Sequence, residues 1–159
     1  MSQIYLFDWG DTLMVDFPES SGKMCDWKQV QAVEGAADAL KHLSQLATLY
    51  VATGAADSSE TEIRTAFECV GLDRYLSGYF CQANLGASKG TPAFLPRILQ
   101  HLNAPADQVT VVGDSFDKDI VPALAIGINA IWLTTEQEAT TPAHPALRKI
   151  SSLQALCLE

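Results

Sequence analysis

Short apolar segments alternate with helix-like segments along almost the whole chain, and this alternation constrains the fold more than any other feature. Apolar residues in the helix-like segments recur every three to four positions, which is typical of a helix with one buried face. Regular alternation of strand and helix favours an α/β three-layer sandwich, with a mainly parallel sheet between two layers of helices. The predicted strands are residues 3–8, 49–53, 79–81, 108–113 and 129–133, and the predicted helices are residues 35–46, 58–70, 91–101 and 118–126.

Local signals predict several boundaries of these elements. Gly71 predicts the end of the second helix. Thr91-Pro92 predicts the start of the third helix, as an N-cap followed by proline at the first helical position. Residues 14–34 are predicted to be irregular, and residues 145–159 to add a short edge strand and a final helical turn.

Length and charge exclude several classes of protein. The chain has 159 residues, which suits one compact domain over residues 1–159 and not two. The net charge of −9 argues against a nucleic-acid partner, which needs clustered Lys and Arg. No apolar run is long enough to cross a bilayer, and the N-terminus lacks the features of a signal peptide. We therefore expect a cytoplasmic protein without a membrane partner, and the oligomeric state stays open.

Cysteines and histidines do not suggest a soft-metal site. They are scattered, without a CxxC pair or a cysteine close to a histidine, so we expect buried reduced thiols and surface or helical histidines. The residues are Cys25, Cys69, Cys81, Cys157, His42, His101 and His144.

Polar residues stand where predicted strands end, and in open α/β sheets ligands bind beyond these carboxyl ends. Asp8 ends the first strand, Thr53 the second, and Asp114 follows the fourth. Lys89 precedes the helix after the third strand. The chain thus predicts an anionic nucleophile, a hydroxyl, a cation and a second carboxylate at one edge of the sheet.

This ordered set resembles the haloacid dehalogenase (HAD) superfamily, whose phosphatases carry Asp-x-Asp-Gly-Thr in their first motif and Gly-Asp-Ser-x-x-x-Asp in their fourth. The resemblance spans nearly the whole chain and implies a Rossmann-like fold and a magnesium-dependent phosphatase. The corresponding segments here are Asp8-Trp9-Gly10-Asp11-Thr12, Val51-Ala52-Thr53-Gly54, Lys89 and Gly113-Asp114-Ser115-Phe116-Asp117-Lys118-Asp119.

The resemblance implies a role for each matching residue. Asp8 would attack phosphorus and form an aspartyl-phosphate. Mg²⁺ would be held by hard oxygen ligands from Asp8, the Gly10 carbonyl, Asp114 and Asp119. The phosphoryl group would be bound by Thr53, the amides of Gly54 and Ala55, and Lys89.

One position departs from the phosphatase pattern, because Gly10 stands where these enzymes place their general acid/base. A positioned acid/base contributes about 10²–10⁴ in rate. Three readings stay open: Asp11 takes the role, the substrate has a leaving group that needs no proton, or the chain binds phosphate and metal with little turnover.

Other functions remain as alternatives. Haloacid dehalogenases and phosphonate hydrolases also lack an aspartate at this position, but the former need no metal and the latter use a cap-domain lysine. Residues 14–34 are too few for a substantial cap domain, so we expect an open site for a phosphorylated small molecule or a bulky phosphorylated substrate. A receiver domain and a non-catalytic interaction module on the same fold are the rivals outside the hydrolases.

Three further residues lie within or close to the motifs without matching a functional position. Asp117 is predicted to be a first-turn helix carboxylate favoured by the helix dipole and without a role in the site. For Trp9 and Trp27, core packing and substrate contact are equally favoured.

Overall fold

A computed structural model describes residues 3–15, 24–27, 29–54, 59–135 and 144–158. Its strands are β1 (Gln3–Phe7), β2 (Ala47–Ala52), β3 (Gly78–Phe80), β4 (Val109–Gly113), β5 (Asn129–Leu133) and β6 (Leu147–Ile150). They form one parallel sheet in the order β3-β2-β1-β4-β5-β6. The predicted α/β fold class is confirmed, including the edge strand near the C-terminus.

The helices cover both faces of the sheet. They are α1 (Ala36–Ser44), α2 (Glu60–Glu68), α3 (Gln82–Leu85), α4 (Phe94–Leu102) and α5 (Val121–Ala125), and a π-helical turn (Phe116–Ile120) leads into α5. Alternate residues of β1 enter different cores: Phe7 packs with residues of α1 and α2, and Leu6 packs with residues of α4 and α5. Both side chains are fully buried, as expected for a parallel sheet covered on both sides.

The start of α4 differs from the prediction. Thr91 and Pro92 are not its N-cap and first residue, because α4 begins at Phe94 with Ala93 as its N-cap. The Thr91 hydroxyl instead donates to the Ser88 carbonyl at 2.6 Å. This bond forms a separate turn before the helix.

Two further elements were predicted incompletely. The segment predicted as helix 118–126 begins as the π-helical turn, and α3 was not predicted. Asn84 supports α3, because its side chain accepts from the Cys81 amide at 2.9 Å and donates to the Tyr79 carbonyl at 2.6 Å. Gly71 adopts a φ of 73° after α2, as expected for a helix stop.

The described ends of the segment 14–34 are tied to the core. The Val15 amide donates to the Gln31 carbonyl at 2.8 Å, and the Val33 amide donates to the Leu13 carbonyl at 2.8 Å. A 3₁₀ turn (Met24–Asp26) lies between them, whereas residues 16–23 and 28 lie outside the described residues. The absence of a substantial cap stays a prediction.

The expectation of buried thiols is wrong for two cysteines. Cys81 is buried, but Cys69 is exposed at the end of α2 and Cys157 is half-buried. The Cys25 side chain lies outside the described part. Within the described ranges, no helix has the length and apolar character needed to cross a membrane.

Candidate active site

Asp8 and Asp114 follow the two central strands of the sheet. β1 pairs with β2 on one side and with β4 on the other, so the strand order reverses here, at the position where α/β sheets bind ligands. The Asp8 amide donates to the Val112 carbonyl at 2.9 Å, which extends the ladder one residue beyond β1. The sheet itself therefore places the two carboxylates side by side.

The turn after Asp8 is held by its own backbone. The Trp9 carbonyl accepts from the amides of Leu13 and Met14 at 3.1 Å each, and the Asp11 amide donates to the Met14 carbonyl at 2.6 Å. Asp11 has a φ of 59°, a left-handed conformation that aspartate adopts more readily than most residues. Asp11 is exposed, so this turn presents its carboxylate to solvent.

Thr12 joins the two strand-end carboxylates. It is fully buried, and its hydroxyl lies 3.2 Å from Asp8 Oδ2 and 3.4 Å from Asp114 Oδ1. One hydroxyl proton serves one acceptor at a time, so Thr12 bridges the pair without neutralising it. Sequence reasoning gave Thr12 no role, although it stands in the quoted first motif.

Lys89 connects the carboxylates of Asp8 and Asp119. Its Nζ lies 2.5 Å from Asp8 Oδ1 and 2.5 Å from Asp119 Oδ1, and it also donates to the Ala52 carbonyl at 3.3 Å. Burial favours the neutral amine, but the two carboxylates outweigh burial and raise the pKa of Lys89. Lys89 therefore remains an ammonium in this site.

Asp119 is placed by the π-helical turn and by Gly113. The Ser115 amide donates to Asp119 Oδ2 at 3.1 Å, and only 2% of Asp119 is exposed. A Cβ on Gly113 would lie 2.3 Å from the same Oδ2, far inside van der Waals contact. Glycine at 113 therefore leaves the room that this buried carboxylate occupies.

Burial and the neighbouring carboxylate of Asp8 raise the pKa values of Asp114 and Asp119. Burial, together with the Asp8 carboxylate, raises the pKa of Asp114 to about 7. Burial also raises the pKa of Asp119, and Lys89 opposes that shift only in part. Both groups therefore hold protons more tightly than isolated carboxyls when no cation is bound.

The donor set fits a divalent cation. Asp8, Asp114 and Asp119 each offer an oxygen atom, and these atoms lie within 4.8 Å of one another. Ligands about 2.1 Å from Mg²⁺ are themselves about 3–4 Å apart. Three carboxylates and one ammonium leave a formal charge of −2, which a divalent ion would balance.

Asp8 and Asp114 are the better-placed pair for a cation, because both oxygens of Asp119 already contact Lys89 or the Ser115 amide. The backbone of Asp114 is also anchored, since the Trp132 indole N–H donates to its carbonyl at 3.1 Å. No pattern in the sequence had pointed to Trp132. Gly10 lies within the turn that follows Asp8, and the hydrogen bonds of this turn are accepted by the carbonyls of Trp9 and Met14.

The predicted phosphate-binding residues are described only in part. Thr53 is buried, and its amide continues the β2–β3 ladder to the Phe80 carbonyl at 3.0 Å. Gly54 lies beside Lys89, since a Cβ on Gly54 would meet Lys89 Cβ at 3.5 Å. Ala55 lies outside the described residues.

The other three residues near the motifs differ in how deeply they are buried. Asp117 is exposed on the π-helical turn, and its lack of a role in the site stays a prediction. Trp9 is a core residue, buried with its ring centroid 6.0 Å from that of Phe67. Trp27 is half-buried against the same core. Core packing is therefore the reading that the structure favours for both tryptophans.

Comparison with known protein families identifies the family of the chain. A family profile described as haloacid dehalogenase-like hydrolase matches residues 10–127. No curated protein sequence matches the chain significantly.

Solved structures resemble the chain over nearly its whole length. An uncharacterized protein from Listeria monocytogenes serotype 4b has a TM-score of 0.85 at 18% identity, covering 98% of this chain and 95% of its own. A HAD hydrolase from Bacillus subtilis bound to magnesium has a TM-score of 0.75 at 15% identity, covering 98% and 96%. A 2-haloacid dehalogenase from Pseudomonas syringae pv. tomato has a TM-score of 0.74 at 19% identity, covering 98% and 96%.

The last two neighbours have nearly the same TM-score against this chain, so structural likeness establishes the fold and leaves the reaction open. The family profile covers most of the sequence, including Asp11, Thr12, Thr53, Lys89, Asp114 and Asp119. This protein belongs to the haloacid dehalogenase-like hydrolases.

Proposed function

We propose that this protein is a magnesium-dependent phosphohydrolase that acts through an aspartyl-phosphate on Asp8. The observation that carries the proposal is the meeting of three carboxylates within 4.8 Å, with Lys89 paired to two of them. A hydrolase that needs no metal has little use for such a cluster, because the excess negative charge would repel its substrate.

Asp8, Asp114 and the Gly10 carbonyl would hold Mg²⁺, and Asp119, whose oxygens already contact Lys89 and the Ser115 amide, would be a further ligand or would orient a water on the ion. The bound ion would offset the repulsion between the Asp8 carboxylate and the incoming phosphate. Asp8 Oδ2 faces Thr12 and Asp114, whereas Asp8 Oδ1 faces Lys89. We therefore assign Oδ2 to the metal side and Oδ1 to the attack on phosphorus.

The reaction then follows in two steps. Asp8 Oδ1 forms a bond to phosphorus as the bond to the leaving oxygen breaks, and that oxygen takes a proton from Asp11 unless it leaves as a stable anion. Water next attacks phosphorus, gives its proton to Asp11, and breaks the bond to Asp8. Lys89, Thr53 and the amides of Gly54 and Ala55 bind the phosphoryl oxygens throughout.

Phosphate release from a panel of phosphorylated compounds, with Mg²⁺ and with EDTA, tests the proposal. Asp8→Asn removes the nucleophile and is expected to lower kcat by at least about 10³-fold. Asp117→Asn is the matched control, because it makes the same change on an exposed residue of the same site region. Wild-type rates in Asp8→Asn, or full activity in EDTA, would contradict the proposal.

The same proteins discriminate the alternatives. Metal-independent halide release from a 2-haloacid would identify a dehalogenase, and phosphate release from a phosphonate would identify a phosphonate hydrolase. Phosphate and Mg²⁺ binding with no turnover of any compound would identify a non-catalytic module.

A further inference from the structure

A second cleft opens beside the proposed active site and has room for a leaving group. It has a volume of about 450 Å³ and shares Asp114 and Asp11 with the site. By contrast, the cavity next to Asp8, Lys89 and Asp119 has a volume of only about 20 Å³, which is room for about one water molecule. A leaving group therefore fits on the Asp114 side and not under Lys89.

The cleft is built from ends of the fold that converge at the same edge of the sheet. Thr134 and Thr135 follow β5, Ser151 and Ser152 follow β6, and Glu34 precedes α1. Because β5 and β6 run parallel to β1 and β4, their carboxyl ends lie on the same side as Asp8 and Asp114.

The polar groups that line the cleft are hydroxyls and carboxylates. Its polar side chains are four hydroxyls and the three carboxylates of Asp11, Glu34 and Asp114, and its described lining includes no Lys, Arg or His. Hydroxyls donate and accept hydrogen bonds, and ionised carboxylates only accept them. A polyol can satisfy both kinds of group, whereas a second anion would face the Glu34 carboxylate, and the described lining offers no cation to offset that repulsion.

We propose that this cleft binds the leaving group and selects neutral, polyhydroxylated groups over groups that carry a second negative charge. The inference rests on the proposed phosphohydrolase function and adds the substrate class to it. Asp11 belongs to the cleft wall, so a leaving oxygen bound there would lie beside the residue assigned to protonate it.

Two matched pairs of phosphate esters test the selection. Glycerol 3-phosphate is compared with 3-phosphoglycerate, and sorbitol 6-phosphate with 6-phosphogluconate, since each pair differs by a CH₂OH group against a carboxylate. We expect kcat/KM to favour the neutral member by about fivefold at low salt, and the preference to shrink at high salt as exposed charges are screened.

A charge reversal in the cleft tests whether the lining causes the selection. Glu34→Lys is expected to move the ratio within each pair about fivefold towards the anionic member. Glu68→Lys makes the same charge change on an exposed residue of α2, outside the cleft, and should leave the ratio as in wild type. A ratio of one in wild type, or a ratio that Glu34→Lys does not move, would overturn the inference.

Two further comparisons separate the possible failures. A large preference for glucosamine 6-phosphate over glucose 6-phosphate would make the cleft a cation site and would overturn selection for polyols. Turnover of 4-nitrophenyl phosphate without discrimination in the matched pairs would refute the cleft alone. No turnover of any ester, 4-nitrophenyl phosphate included, would refute the phosphohydrolase function and this inference with it.

Discussion

The two oxygens of Asp8 have different neighbours, and this difference organises the site at the scale of single residues. Oδ1 pairs with Lys89, and Oδ2 lies next to the Thr12 hydroxyl that also reaches Asp114. In the proposed mechanism, Oδ2 would face the metal ion and Oδ1 would face the substrate. Asp11 follows in the same segment, exposed on a left-handed turn.

The exposure of Asp11 leads to a prediction about leaving groups. If Asp11 supplies the missing acid, Asp11→Asn should lower kcat/KM for alkyl phosphates by about 10²-fold. Aryl phosphates should lose much less, because 4-nitrophenolate leaves without a proton. Steady-state kinetics on glycerol 3-phosphate and 4-nitrophenyl phosphate measure both effects. Equal losses for the two esters would exclude Asp11 as the acid.

At the scale of elements, the connection from β4 to α5 positions two of the three carboxylates of the site. It contains Asp114 and the π-helical turn, which includes Asp119. The turn places the Asp119 carboxylate directly against Gly113. π-helical turns are rare and frequently occur at functional sites. Here the turn brings Asp119 to Lys89, which lies on the connection between α3 and α4.

Gly113→Ala tests this arrangement. The new Cβ would overlap Asp119 Oδ2, so we expect a loss of about 1–3 kcal/mol in the free energy of unfolding, together with weaker Mg²⁺ binding. Gly54→Ala is the control for stability, because its Cβ would meet Lys89 Cβ at an ordinary 3.5 Å. Thermal unfolding and Mg²⁺ titration measure the two effects. Similar stability of both variants would show that Asp119 does not depend on glycine at 113.

At the scale of the whole molecule, the stability of the fold depends on the protonation of the site. The pKa of Asp114 is raised to about 7 from an ordinary value of 3.8, so the folded state binds this proton more tightly than the unfolded state. The contribution of Asp114 to stability therefore falls as pH rises from about 4 to 7 in the metal-free protein. A bound divalent cation would remove this penalty, because it stabilises the ionised carboxylate.

Mg²⁺ should consequently stabilise the protein more at pH 8 than at pH 5.5. Below pH 7 the ion must displace a proton from Asp114, so we expect its affinity to fall on the order of tenfold per pH unit. The shift in Tm with Mg²⁺ across this range measures the effect. Asp114→Asn should abolish the shift and make the metal-free protein more stable than wild type at pH 8. A Mg²⁺ shift independent of pH would argue against Asp114 as a ligand.

Much of the architecture was determined by the sequence alone, because local patterns control it. Among the described residues, the sequence predicted five strands and the four longer helices to within a few residues, and it predicted the sixth strand as a short edge strand within residues 145–159. Asp8 and Asp114 were located because a residue that follows a parallel strand must lie at the carboxyl edge of the sheet. The failures were also local: a turn replaced the predicted start of α4, and side-chain hydrogen bonds from Asn84 support α3.

Only the tertiary structure decided how the site residues pair. Thr12 reaches Asp114 across 102 positions of the chain, and Lys89 reaches Asp8 across 81, distances over which no local pattern carries information. The closeness of Asp119 to Lys89, the room left by Gly113 and the acidic cleft around Asp114 likewise depend on strand order and on the π-helical turn. Sequence periodicity shows which face of an element is buried, whereas packing determines which side chains meet there.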